Sequence, residues 1–156
     1  TAAVLQDNGY TPTILSRSKA LLDFSQQHSV PAIKSWWWAY QNWSGWRLVL
    51  TPVYFLWQIV LLFYYISVFI RLKPNTVHIQ SKDDFIAATY AARLVGARVV
   101  WTDHADLKHV WLNVTVWYKN PIGKAVLLAA RLAHAITVVS QSEYTLVTNN
   151  LKNNEL

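Results

Sequence analysis

The chain has 156 residues, 53% of them hydrophobic, which is enough apolar mass for one domain with a real core and too little length for two. It contains no Cys, which excludes a disulfide framework and thiolate metal sites and fits a reducing compartment. Fourteen Lys and Arg against eight Asp and Glu leave a net charge of +6, a balance that favours anionic partners without choosing between phosphorylated substrates, acidic lipid headgroups and nucleic acid.

Thr1 to Asn8 reads as the last turns of a helix, and Asn8-Gly9 closes it, because Gly takes the left-handed conformation that follows a last turn. With no Met in it, the chain reads as a single truncated domain, a piece of a longer protein. The charged, apolar, small-residue order of a signal peptide is absent, an absence to which a truncated start gives little weight. Thr11 to Ser16 reads as a short strand. Residues 17–45 have poor periodicity and are punctuated by Ser29, Pro31, Ser35 and Ser44, which predicts an irregular region with one short helix over Lys19 to Gln27.

Leu48 to Ile70 carries no charged residue across 23 positions, lies between Arg47 and Arg71, and has Pro52 where a first helical turn tolerates it. Its length suits a bilayer span, and six of the nine Trp fall between Trp36 and Trp57, as interfacial aromatics do. Against spanning, only Arg71 to Asn75 separates it from a strand that must join a soluble sheet. The reading preferred is a helix packed on the sheet or lying in a membrane surface.

Strand and helix then alternate through residues 76–150. Thr76 to Gln80 reads as a strand, Asp83 to Val95 as a helix ending before Gly96, and Ala97 to Trp101 as a strand. After an irregular stretch from Thr102 to Asn120, Pro121 opens a helix through Ala133, and Ala135 to Val139 makes another strand. Ser140 and Glu143 have the spacing of a capping box for a final helix. Such alternation predicts an α/β fold with a parallel sheet covered by helices, since parallel neighbours need crossover connections. Ligands of such sheets sit outside the carboxyl ends of the strands. Three loops therefore should share one edge: Ser81-Lys82-Asp83, Thr102-Asp103-His104 and Ser140-Gln141-Ser142.

The stretches VHIQSKDDFIAATYAARLVGARVVWTDHADL (Val77 to Leu107) and NPIGKAVLLAARLAHAITVVSQSE (Asn120 to Glu143) resemble family 4 glycosyltransferases. In that family a strand ending in His-x-His or His-x-Ser leads to a helix, a Gly, a strand, a Thr-x-His loop and later an Ala-Asp-x-Ile-x-x-Val-Ser strand. Thr102-Asp103-His104 and the run from Ala133 to Ser140 match, with His134 where Asp is commoner. Residues before 76 match loosely, through a helix, Asn8-Gly9-Tyr10 and a strand, and the first strand and glycine-rich loop are missing.

The resemblance implies one half of a GT-B fold, a Rossmann-like parallel sheet with helices on both faces. The activity it implies is transfer of a sugar from a nucleotide-sugar donor to a hydroxyl acceptor, with retention at the anomeric carbon and neither metal nor other cofactor in the site. This domain would hold the acceptor. A C-terminal domain outside the chain would carry the donor nucleotide contacts and the paired glutamates, so the piece alone is expected to be inactive. A basic, Trp-rich chain suits a lipid or membrane-borne glycan acceptor and a cytoplasmic place, peripheral on the inner face of a membrane.

His104 leads the candidate site residues, because an imidazole at a strand's carboxyl end can hydrogen-bond a sugar hydroxyl or support a developing positive sugar centre, and the family's equivalent His faces the donor sugar. Thr102 and Asp103 accompany it. Ser81 and Lys82, at a helix start, can bind a phosphate or an acidic acceptor, although Asp83 and Asp84 oppose that and ordinary capping explains them equally. Ser140 is explained by its cap, a ligand contact being additional. Asp103, His104, Asp106 and His109 are metal-ligand types, but a five-residue step does not place the two His on one helical face.

Three rival readings have observable signatures. A membrane-anchored α/β binding or scaffold protein needs the apolar helix to span. A dinucleotide-binding oxidoreductase needs a G-x-G-x-x-G, which four Gly do not supply here. Nucleic-acid binding needs aromatics beside Lys and Arg, whereas here they cluster in apolar context.

Overall fold

In a computed structural model, residues 2–36, 49–104, 107, 111 and 121–152 are described. The chain divides into two compact units, Thr1–Gln41 and Asn42–Leu156.

In the first unit, helix α1 (Ala2–Asp7) stops at Gly9, whose φ of 80° lets Gly9 N–H donate to the Gln6 carbonyl and Tyr10 N–H to that of Leu5. Strand β1 (Ile14–Ser16) follows, then helix α2 (Lys19–Gln27), whose N-terminus is capped by Ser18 accepting from Leu21 N–H. Strand β2 (Ala32–Lys34) pairs parallel with β1, Ile14 opposite Ala32. It lies within the stretch expected to be irregular. Three residues directly after Pro31 are too few to show alternation, and the ladder with β1 forms the strand.

The second unit opens with helix α3 (Thr51–Leu72), Pro52 in its first turn and Lys73 closing it in a left-handed conformation. Strand β3 (Thr76–Ile79), helix α4 (Phe85–Leu94), strand β4 (Arg98–Asp103), helix α5 (Pro121–Ala130), strand β5 (Ala135–Val138) and helix α6 (Gln141–Lys152) complete it. The strands form a parallel sheet in the order β3-β4-β5. The protein is thus an α/β molecule of parallel strands with helices around them, as the sequence predicts.

The sheet's apolar face is built from alternate residues. Ile79 and Val99 are buried, as is Trp101 between Ile79 and Ile136 on its neighbours. Helix α4 covers this face. Its Phe85 stacks on Trp101 at 4.1 Å and 5°, and Thr89 Oγ1 accepts from Trp101 Nε1 at 2.8 Å. Four buried alanines, Ala87, Ala88, Ala91 and Ala92, let α4 contact the sheet, α3 and α5 at once. Gly96, φ 82°, then turns the chain into β4.

Helix α3 docks on α4 through Tyr54, Gln58, Leu61, Tyr65 and Phe69, a stripe at helical spacing that is buried while much of the rest is exposed. Gln58 is the polar clamp in that seam. Its Nε2 donates to the Asp83 carbonyl at 3.0 Å and its Oε1 accepts from Ala87 N–H at 3.2 Å. Burial, with help from Asp83 and Asp84, pushes the Tyr54 phenol well above its ordinary pKa, so it enters this seam protonated.

Candidate functional site

Parallel pairing brings the carboxyl ends of β3, β4 and β5 to one edge. Ile79, the last residue of β3, lies beside Trp101, and Val138, the last of β5, lies beside Asp103, the last of β4. The loops from residues 81, 104 and 140 therefore leave the sheet side by side.

His104 follows β4 directly and is exposed on this edge. Ser81 and Lys82 are half-buried in the turn after β3, where Asp84 N–H donates to the Ser81 carbonyl and Phe85 N–H to that of Lys82. That turn delays α4 to Phe85, two residues later than the sequence suggests, with Asp84 as its cap residue. Ser140 is exposed and caps α6: its Oγ accepts from Glu143 N–H, while Glu143 Oε2 accepts from Val139 N–H. The expected capping box is present, the Glu reaching one residue further back than its usual partner.

Thr102 and Asp103, expected in a loop, belong to β4. Pairing with Thr137 and Val138 of β5 carries the strand through two polar residues. The alternation sends them to opposite faces. Asp103 is fully buried, and its Oδ1 accepts from Leu107 N–H at 3.1 Å, so its carboxylate holds the chain beyond the strand instead of standing on the open edge. Asp106 and His109 lie outside the described residues. Among the described residues no group of three His, Cys, Asp or Glu could hold a metal ion.

Thr102 takes part in a hydrogen-bond chain across the opposite face of the sheet. Thr137 Oγ1 donates to the Trp101 carbonyl at 2.9 Å, which uses its one hydrogen. Thr102 Oγ1, 2.8 Å away, must then donate to Thr137, and His78 Nε2, 2.6 Å from Thr102, must donate in turn. His78 is thereby fixed with a proton on Nε2, leaving Nδ1 as an acceptor. Desolvation first, and the nearby His104 second, hold its pKa below the ordinary 6.5, so near neutral pH it is an uncharged ring beside His104. His78 lies in the stretch that resembles the family, yet nothing in the sequence alone marks it as a site residue. Its partners come from two other strands, which one sequence does not align.

His134, at the position where Asp is commoner, ties β4 to the start of β5. Its N–H donates to the Val99 carbonyl at 2.8 Å, Val99 N–H donates to its Nδ1 at 3.0 Å, and Arg93 Nη1 stands 2.8 Å from its Nε2. A neutral imidazole has one lone-pair nitrogen, so the two donors compete for it, whereas a carboxylate would accept both.

The arrangement offers an exposed imidazole, a neutral second imidazole and several hydroxyls at the mouth of a parallel sheet, groups suited to binding polyhydroxylated ligands. The family model for Glycosyltransferase Family 4 matches residues 1–154. The chain belongs to that family. No curated protein and no solved structure gives a significant match. Membership in family 4 makes this a glycosyltransferase domain, with a sugar donor and an acceptor as substrates in general terms.

Proposed function

We propose that this domain forms the acceptor side of a glycosyltransferase that moves a sugar from a nucleotide-sugar donor to a hydroxyl acceptor with retention of configuration. The nucleoside diphosphate leaves, the acceptor oxygen takes its place on the same face of the sugar, its proton passes to the departing phosphate, and no metal or other cofactor takes part. In this reading the donor nucleotide contacts come from a second domain facing this one across a cleft. Exposure of His104 at the shared carboxyl edge of three parallel strands carries the proposal.

In this reading His104 binds a sugar hydroxyl or supports the positive charge that develops at the anomeric carbon. Ser81, Lys82, Thr102 and Ser140 bind substrate around it, and Asp103, being buried, acts by holding the loop that carries His104. The acceptor is a lipid or a membrane-borne glycan, and the protein works in the cytoplasm, peripheral on the inner face of the membrane. A membrane-anchored scaffold with a spanning α3 is the rival. The Gln58 clamp favours the transferase reading, because it commits one face of α3 to α4.

The test uses the full reading frame and a panel of nucleotide sugars offered with lipid and glycan acceptors. His104→Ala is expected to lower kcat roughly 100-fold, with a smaller effect on KM. Undiminished kcat in that variant would remove His104 from the reaction.

A further inference from the structure

Helix α3 has two apolar faces, and among the described residues only one of them is covered. Opposite the stripe docked on α4 stand Val53, Leu56, Ile59, Val60, Phe63 and Ile70, exposed by 46 to 66%. A water-facing helix surface ordinarily carries charge, yet the helix has no charged residue before Arg71. Only 28% of its most apolar window is buried. At its end the chemistry changes abruptly. Arg71 and Lys73 are exposed, and Lys73 shares an open crevice with Arg98, floored by Ile66, Ile70 and Leu94 and, among the described residues, lined by no acidic side chain.

We infer that the outer face of α3 lies in the interface of an anionic bilayer, parallel to its surface, with Arg71, Lys73 and Arg98 at the level of the lipid phosphates. An aliphatic face ending in a cluster of cations matches an acyl layer bordered by anionic headgroups. The helix cannot span while Tyr54, Gln58, Leu61, Tyr65 and Phe69 remain packed on α4, since that seam would have to leave the protein. The inference rests on the membrane-surface part of the proposed function. It is independent of sugar transfer, because its test measures binding alone.

The full chain is floated with phosphatidylcholine vesicles, with and without one third phosphatidylglycerol. Binding is expected to the anionic vesicles. Leu56→Glu with Phe63→Glu, both at exposed positions, should reduce it at least tenfold, while Lys73→Gln and Arg98→Gln should each weaken it about fivefold on anionic vesicles. Because the chain has no Cys, single nitroxide labels at Leu56→Cys, Val60→Cys, Phe63→Cys and Ile70→Cys report depth without further substitution. Uniform shallow depth is expected along the helix. Failure to float, binding indifferent to the Glu pair, a depth that peaks mid-helix, or dimerisation abolished by the Glu pair without any lipid binding would each overturn the inference.

Discussion

His78 and His104 show how the same residue type acquires different roles from its surroundings. His104, after the last residue of β4, is free to meet a ligand, whereas His78 is locked by Thr102 and Thr137. The lowered pKa of His78 has a consequence for stability. As pH falls below 6.5 the unfolded chain takes up a proton at this residue before the folded one does, so stability is full above that value and declines below it. His78→Gln keeps a donor for Thr102 and cannot titrate. Urea midpoints at about pH 7.5 and about pH 5.5 should therefore lie closer together in His78→Gln than in the wild type. An equal separation would contradict the assignment.

At the scale of elements, two contacts decide how the layers are joined. Gln58 satisfies a buried carbonyl and a buried N–H of the turn and helix it meets, so Gln58→Leu strands both and should destabilise by about 2–3 kcal/mol, read as a fall in chemical midpoint. A chain in which α3 instead left the domain to span a bilayer would show little change. His134 makes the opposite prediction. His134→Asp gives Val99 N–H and Arg93 an acceptor each, and should raise stability by about 1 kcal/mol, or roughly 2–4 °C in Tm, discounted for the exposure of the site. A lower Tm would show that one lone pair already suffices. The element boundaries that sequence patterning placed well have local causes: the glycines after α1 and α4, the Pro at the start of α5, and the Ser140 and Glu143 cap.

For the whole molecule, the α/β class was legible because the 3.6-residue and 2-residue periods alternate from residue 76 onward. What escaped depended on pairing between distant segments. Strand β2 exists through its ladder with β1, Thr102 and Asp103 were absorbed into β4 by β5, and His78 acquires its fixed proton only when three strands lie side by side. The edge shared by the loops was inferable, since parallel strands must end together, but the burial of Asp103 was not, because it depends on which way the lengthened strand alternates.

The proposed function puts the chemistry at the carboxyl edge of β3, β4 and β5. Turnover by the full-length enzyme should be compared for Ser81→Ala, Lys82→Ala and His104→Ala on that edge and for Asn75→Ala beside the opposite end of β3. Losses are expected in the first three, largest for His104→Ala, with wild-type kcat/KM for Asn75→Ala. Equal activity in all four, or a loss confined to Asn75→Ala, would move the chemistry away from that edge.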